Sequence, residues 1–117
     1  MKEKNYFSGG LLTELLILSI LSKRDSYAYE IRKIIQNTHN DMLAMSQNTI
    51  YIIIYKLEEE NKISQYTKLV GKRRSRVYYH IEENGKEYYN QLLSNFRDTV
   101  NCVEEIISAS HDPIIER

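Results

Sequence analysis

A compact basic segment dominates the distribution of charge along the chain. The formal net charge of the 117 residues is zero, yet residues 61–81 hold six lysines and arginines and no acid. Residues 1–60 carry a net charge of −1 and residues 82–117 one of −5. Clustering of this kind is typical of an element that binds a polyanion, although a lysine-rich hairpin that is merely kept soluble would share it. Four of the six cations lie close together, at Lys72, Arg73, Arg74 and Arg76.

A run of hydroxyl and amide side chains precedes the basic segment. Residues 46–51 read Ser-Gln-Asn-Thr-Ile-Tyr, and asparagine and glutamine are the side chains that can bond adenine through two hydrogen bonds. The basic segment would add sequence-independent affinity for phosphates. We therefore expect DNA contacts from the four basic residues and from Ser46, Gln47, Asn48, Thr49, Tyr51, Tyr55 and Lys56.

Residues that usually carry catalysis or bind metals are scattered. His39, His80 and His111 share no ligand spacing, and Cys102 is a lone cysteine with acidic neighbours. Asp41 lies near His39, but no nucleophile is placed with them in any motif. The four glycines form no phosphate-binding loop. The sequence therefore predicts no enzyme, no cofactor and no metal site.

Three helices are expected before the basic segment. The first, Gly10–Leu21, is apolar nearly all round, which is typical of a central core helix. The second follows Ser26, which is predicted to cap it. The third begins at Ser46 and runs to about Glu60, with one buried face at helical spacing: Ile50, Ile53, Ile54 and Leu57.

A two-stranded hairpin is expected next. Ile63–Val70 and Arg76–Glu82 are rich in β-branched residues and tyrosine, and the basic residues lie at the turn between them. In the second strand, Val77, Tyr79 and Ile81 are predicted to share one face.

A long final helix is predicted from Glu83 to Ser108, with Gly85 tolerated near its start. Apolar residues recur along it at spacings of 4, 3, 4, 3 and 4, which is the heptad pattern of a helix that packs along another helix. These residues are Tyr89, Leu93, Phe96, Val100, Val103 and Ile107. We expect this seam to form a homodimer, together with Leu11 and Leu15 of the first helix.

The order helix, helix, helix, hairpin predicts a winged helix-turn-helix: a mainly α fold with a small β-hairpin and one long terminal helix. In such a unit the third helix enters the major groove and the hairpin reaches the flanking backbone. Residues 1–82 would form the DNA-binding domain and residues 83–117 the dimerisation helix and tail. The longest apolar stretch, Leu11–Leu21, has 11 residues and contains Glu14, so we expect no membrane span and a cytoplasmic location.

Four segments together resemble the PadR-type transcriptional regulators. Tyr27-Ala-Tyr-Glu-Ile31 is similar to the start of that family's second helix, and Ser46-Gln-Asn-Thr-Ile-Tyr51 with Leu57-Glu58 is similar to its recognition helix. Gly71-Lys-Arg-Arg-Ser-Arg-Val-Tyr-Tyr79 and Gly85 resemble its basic wing and the glycine that opens the last helix. The chain departs from the family pattern at four positions: Asn48 and Asn61 for glycine, Ile52 for proline and Glu82 for threonine.

The single terminal helix resembles the short branch of the family, whose members are homodimers and in some cases sense hydrophobic compounds between the subunits. The resemblance implies a repressor that binds a palindromic operator on double-stranded DNA and is released by a small hydrophobic effector. The family pore commonly uses a tryptophan, and this chain has none. Phe96 is the expected substitute, lining a pocket with Leu15 and Val100. The alternative function is a winged-helix module that binds proteins and not DNA.

Overall fold

The computed structural model describes residues 10–109. In chain order its elements are α1 (Leu11–Lys23), β1 (Ser26–Tyr27), α2 (Ala28–Gln36), α3 (Gln47–Glu59), β2 (Ile63–Leu69), β3 (Ser75–Ile81) and α4 (Glu83–Ser108). The predicted mainly helical winged helix-turn-helix with a long terminal helix is confirmed. The division into two domains at residue 82 stays a prediction.

The core is built around α1. Ile17 and Leu18 have no exposed surface, and α1 contacts α2, α3, β3 and α4. Because the helix is surrounded, its apolar residues are buried on several sides, as its composition predicts. On α3 the predicted apolar stripe is the buried face: Ile50, Ile53, Ile54 and Leu57.

The sheet has three strands where the sequence predicts two. β1 pairs antiparallel with β3, which gives the order β1-β3-β2. Two residues are too few to show an alternating pattern, so β1 leaves no signal in the sequence. The prediction that Ser26 caps α2 is wrong, because Ser26 belongs to β1 and Tyr27 is the N-cap residue. The Ser26 Oγ donates instead to the Arg24 carbonyl at 3.2 Å.

The end of α3 is closed by a left-handed residue. Asn61 has a φ of 58°, and its N–H donates to the Glu58 carbonyl while that of Lys62 donates to the Leu57 carbonyl, both at 2.9 Å. These two bonds form a Schellman motif, in which the left-handed position is normally glycine. Asparagine adopts this conformation more readily than other side chains, so it fills the position that resembles a family glycine.

Gly85 is required by packing, which corrects the expectation that it is merely tolerated. A Cβ at this position would lie 2.1 Å from the Lys62 carbonyl oxygen and 2.8 Å from Ile81 Cγ1. The first turn of α4 therefore lies directly on the chain that leaves α3. The Glu82 N–H reinforces this junction by donating to the same Lys62 carbonyl at 2.9 Å.

The second half of α4 leaves the domain. Leu92 is buried in the core and Phe96 packs against it, whereas Val100, Val103, Ile106 and Ile107 are exposed. The helix spans 26 residues, about 39 Å at 1.5 Å per residue. No helix within residues 10–109 is long and apolar enough to cross a membrane.

Candidate nucleic-acid interface

The start of α3 is fixed by a side-chain cap. Ser46 Oγ accepts a hydrogen bond from the Thr49 N–H at 3.1 Å and lies 3.0 Å from Thr49 Oγ1. This bond satisfies one of the N–H groups left free at a helix start. The predicted helix start at Ser46 is thus confirmed. The hydroxyls of Ser46 and Thr49 stabilise the first turn of α3.

One face of α3 is exposed although it is largely apolar or aromatic. Asn48, Tyr51, Ile52 and Tyr55 lie on this face, with 58% of Ile52 and 71% of Tyr55 exposed. Their spacing of three and four residues places them on the side opposite the buried isoleucines. An aliphatic and two aromatic side chains beside an amide suit contacts with thymine methyl groups and base edges.

Two residues predicted to contact DNA are turned inward or engaged. The Nε2 atom of Gln47 is buried, and it has no hydrogen-bond partner within the part of the chain that the structure describes. The Nζ atom of Lys56 donates to Oε2 of Glu14, a fully buried residue of α1. Because the Lys56 ammonium is paired with a buried carboxylate, we remove Lys56 from the expected DNA contacts. Gln47 is removed from the base-reading set because its amide donor does not reach the surface.

The basic residues lie at the turn between β2 and β3, as predicted. Lys72, Arg73 and Arg74 are exposed, and the Val70 N–H donates to the Arg74 carbonyl at 3.0 Å across the turn. Among residues 10–109 none of the three forms an ion pair with an acid. Their charges are therefore available to an external anion. We call Lys72–Arg76 the wing tip.

A cleft joins the wing tip to α3. Its walls come from the start of α2, the outer face of α3 and β3, and they include Tyr29, Tyr51, Arg74 and Arg76. The Arg76 guanidinium carbon lies 4.1 Å from the centroid of the Tyr27 ring, a cation–π contact that orients the side chain. Tyrosine hydroxyls and guanidinium groups on facing walls form a surface suited to a phosphate backbone.

Tyr27 and Tyr29 line the cleft, although they are not among the interface residues predicted from the sequence. Tyr29 is exposed, two positions before the buried Ile31. A helical projection of residues 27–35 could have placed Tyr29 on the outer face. That this face borders the wing follows only from the tertiary structure, because β1 brings the start of α2 beside β3.

Tyr79 forms the floor of the cleft and carries no charge there. Burial, with the carboxylate of Glu58 nearby, raises the pKa of Tyr79 to about 12. The phenol is therefore neutral at physiological pH. Tyr79 is buried on the inner face of the sheet with Ile81, on the face that the strand pattern predicts for both.

The outer face of the sheet holds a separate polar cluster. Asp25 accepts a hydrogen bond from Tyr66 at 2.7 Å and pairs with His80 Nδ1 at 2.8 Å. Partial burial alone would raise the pKa of the Asp25 carboxyl, but the bonds from His80 and Tyr66 outweigh it and the pKa is lowered. The same bond raises the pKa of Tyr66. The cluster fastens β2 and β3 to the segment before β1.

No metal-binding cluster is present within residues 10–109, where no three histidine, cysteine, aspartate or glutamate residues are grouped. His39 and Asp41 are exposed residues of the loop after α2, each with a positive φ. Cys102 is exposed on α4. His111 lies outside the described residues.

The residues predicted to form the dimer interface divide into two groups. Leu11 and Leu15 are buried in the chain's own core, so they offer almost no surface to a partner, and this part of the prediction is revised. Tyr89, Leu93 and Phe96 are half-buried against the same core, and Tyr89 also donates to Ser19 Oγ at 3.4 Å. The exposed part of the predicted seam is its distal end: Val100, Val103 and Ile107.

Comparisons with known proteins agree with this fold. The model of the transcriptional regulator PadR-like family matches residues 17–91. The transcriptional regulator YqjI of Escherichia coli (strain K12) is 31% identical over 108 residues, which are 92% of this chain and 48% of that protein. The chain therefore spans about half the length of this relative.

Two solved structures show the same architecture. The protein smu.1704 from Streptococcus mutans UA159 is 32% identical with a TM-score of 0.77, over 93% of this chain and 100% of that chain. Bacillus subtilis PadR in complex with operator DNA has a TM-score of 0.64 at 21% identity, over 91% of this chain and 51% of that chain. At that identity the likeness concerns the fold.

The family match includes the second half of α1, all of α2, α3 and the wing, and the first turns of α4. These are the elements that build the capped helix start, the exposed face of α3 and the cleft. This chain therefore belongs to the PadR-like family of transcriptional regulators.

Proposed function

We propose that the chain is a DNA-binding repressor whose α3 enters the major groove while the wing tip holds the flanking backbone. The observation that carries the proposal is the continuity of the surface. The exposed face of α3 and the wing tip meet across one cleft, lined by Tyr51, Arg74 and Arg76. This continuity supports the proposal, because a winged helix-turn-helix needs base-reading and phosphate-binding groups side by side.

Filter binding of a short duplex at two salt concentrations tests this function. Binding through phosphates must weaken steeply as the salt concentration rises, because condensed counterions are released. Affinity that is absent, or that does not change with salt, would contradict the proposal and favour a protein-binding module. The operator complex of the Bacillus subtilis relative supports the choice of duplex DNA as the probe.

We also propose that the protein acts as a homodimer on a palindromic operator. A single wing and helix make few groove contacts, and two of them held about one helical turn apart would read both half-sites. The exposed distal stripe of α4 supports this assembly because a solvent-exposed stripe of valine and isoleucine is an aggregation hazard. Its residues are Val100, Val103, Ile106 and Ile107.

A shallow apolar groove offers a place for the distal end of the partner's α4. It lies between α1, α2 and the loop after α2, and its apolar walls are formed by Leu16, Ile20, Ile34, Ile35 and Leu43. Ile34 is exposed at this groove. These side chains take the place of Leu11 and Leu15 in the proposed interface.

A small hydrophobic compound is the effector class that we propose for the space between two such subunits. Phe96 is half-buried and Val100 is exposed on the same stripe of α4, so both can face a ligand. Leu15 is buried in the core and is dropped from the proposed pocket. Binding of a hydrophobic fluorescent dye to the wild type, and its loss in Phe96→Ala, is the corresponding measurement; equal binding by both would remove Phe96 from the pocket.

A further inference from the structure

We propose that Glu14 is a positioning residue that couples the placement of α4 to the orientation of α3. Its side chain is fully buried in α1, and each carboxylate oxygen accepts a bond from a different element. Oε2 accepts from Lys56 Nζ of α3, and Oε1 accepts from the Tyr88 hydroxyl of α4. The consequence for DNA rests on the proposed function, whereas the coupling itself can be measured without DNA.

A buried carboxylate ties its partners together more firmly than an exposed one. Removing one partner leaves a buried acceptor unsatisfied, and that is far less favourable than losing a bond in water. We therefore expect Glu14 to follow a displacement of Tyr88, and the Lys56 ammonium, which also lies 3.9 Å from Glu60 Oε2, to follow Glu14. Bonded groups in such a network respond jointly to any single change.

A second contact connects Tyr88 to the same end of α3. Lys62 Nζ lies 3.5 Å from the centroid of the Tyr88 ring, and the Lys62 N–H closes α3 by donating to the Leu57 carbonyl. Both routes from Tyr88, through Glu14 and through Lys62, thus end on the last turn of α3. Tyr88 is therefore placed to transmit a shift of α4 to the helix proposed to read DNA.

Tyr88 lies on α4 beside the predicted dimer seam, so a change at that seam can act on Tyr88. Tyr89, the next residue, is the first member of the predicted dimer seam, and the stripe continues to the exposed Val100 and Val103. Pairing of two α4 helices, or a ligand bound between them, would fix the rotation of α4 about its axis. Through Glu14 that rotation sets the orientation of α3.

Amide hydrogen exchange of the intact protein tests the coupling directly. In Tyr88→Phe, which keeps the ring and its contact with Lys62, the amides of residues 53–59 should exchange at least about fivefold faster. The strand amides between β2 and β3 should keep their wild-type rates. The matched control is Tyr66→Phe, which also removes a hydroxyl bonded to a carboxylate, but on the outer face of the sheet; its α3 amides should be unchanged.

Coupling must also run in the opposite direction, because it is reciprocal. Lys56→Met should speed the exchange of residues 85–92 in α4, although Lys56 does not lie on that helix. If this variant does not fold, Lys56→Arg keeps the charge and changes the donor geometry, with the same expected effect. The proposal would be overturned if each variant speeded exchange only in its own helix, α4 for Tyr88→Phe and α3 for Lys56→Met. It would also be overturned if exchange rose equally at every protected amide.

Duplex binding separates this inference from the proposed function. With a duplex obtained by binding-site selection, Tyr88→Phe should raise Kd by about fivefold or more and leave the salt slope unchanged, since a base-reading helix is displaced but no phosphate contact is removed. If Tyr88→Phe alters amide exchange in α3 but the wild-type protein binds no duplex, the result would contradict the proposed function alone. If Tyr88→Phe leaves amide exchange in α3 unchanged while the wild-type protein shows salt-dependent duplex binding, the result would contradict the coupling alone.

Discussion

Single side chains of the proposed interface fall into two kinds. Asn48 on α3 has an exposed amide, whereas Arg73 and Arg74 at the wing tip have exposed charges. Only the first kind can distinguish one base pair from another, because phosphates are the same in every sequence. The two kinds therefore predict different results when each is removed.

Replacing Asn48 by alanine should change sequence preference. If the amide bonds adenine through two hydrogen bonds, its loss should reduce discrimination by about 1–3 kcal/mol at one base pair of each half-site. Binding-site selection with wild type and variant is the measurement, and Asn90→Ala, an exposed asparagine of α4, is the control. Identical preference profiles for wild type and Asn48→Ala would move the reading surface elsewhere.

Replacing Arg73 and Arg74 together by alanine should weaken binding to all duplexes alike. The slope of log affinity against log salt should fall by about 1–2, since two phosphate contacts are lost. The control is Lys23→Ala with Lys86→Ala, which removes the same charge from surfaces away from the wing. A loss of affinity for one sequence only would show that the wing reads bases.

Asp25 should make the protein sensitive to acid. Its pKa is lower in the folded chain than its ordinary value of 3.8, so the folded state binds the proton less tightly than the unfolded state. The stabilisation is thus present above about pH 4 and is lost as the pH falls through the folded pKa. Asp25→Asn should destabilise the protein at about pH 6 and much less at about pH 2.5, as measured by urea unfolding.

Asp98→Asn, on the exposed polar face of α4, is the control for this pH dependence. It should lower stability by a similar small amount at both pH values. A difference between wild type and Asp25→Asn that stays constant with pH would remove the Asp25–His80–Tyr66 cluster from the acid response.

At the scale of elements, the junction between α3, the wing and α4 fixes the geometry of the interface. Asn61 turns the chain at the end of α3 with a positive φ, and Gly85 lets α4 lie on the carbonyl of Lys62. Neither residue contacts the proposed DNA surface. Both determine where α3 stands relative to the wing and to α4.

Gly85→Ala should therefore destabilise the fold. Alanine favours a helix over glycine by about 1 kcal/mol, but its Cβ would overlap the Lys62 carbonyl oxygen at 2.1 Å. We expect the overlap to prevail and to lower the free energy of unfolding by about 1–3 kcal/mol. Gly71→Ala, where the nearest side-chain atom is 4.0 Å from the added Cβ, should change it by less than about 0.5 kcal/mol. Urea unfolding of both variants is the measurement, and equal stabilities would show that α4 can shift without loss.

At the scale of the whole molecule, the distal half of α4 is the feature that a single chain leaves unexplained. After Leu92, which is buried in the core, α4 continues for about four more turns. Its last two to three turns expose apolar side chains from Val100 to Ile107 to solvent. Burial of that stripe in a dimer would yield several kcal/mol at about 25 cal/mol per Å², before the loss of translational freedom is subtracted. In the proposed dimer, this pairing of the α4 helices would set the distance between the two wings.

Val100→Asp with Val103→Asp should abolish the dimer. The pair places four charges in the proposed interface, and buried unpaired charge is strongly unfavourable. Light scattering should report a monomer or an aggregate, and duplex affinity should collapse although the wing is intact. The matched control, Ser94→Asp with Asn101→Asp on the opposite face of α4, should stay dimeric. A Val100/Val103 variant that remains dimeric and binds DNA as the wild type does would exclude the distal stripe from assembly.

Periodicity and residue type determined the elements of this protein. The third helix with its Ser46 cap, the two strands of the wing and the last helix from Glu83 to Ser108 all follow from the sequence. These signals are local, since a cap, a turn or an apolar stripe depends on residues a few positions apart. The same holds for the exposure of Tyr51 and Tyr55 and for the charge of the wing tip.

Only the tertiary structure decided which side chains are exposed and free to contact DNA or a second subunit. Lys56 lies on α3 at a position that could face DNA, but it bonds Glu14, which is 42 positions away along the chain. Leu11 and Leu15 match an interface by type and yet fill the core, and β1 is too short to leave any pattern. In each case the outcome depends on a neighbour brought close by folding and not by sequence, and such pairings leave no periodic trace in one chain.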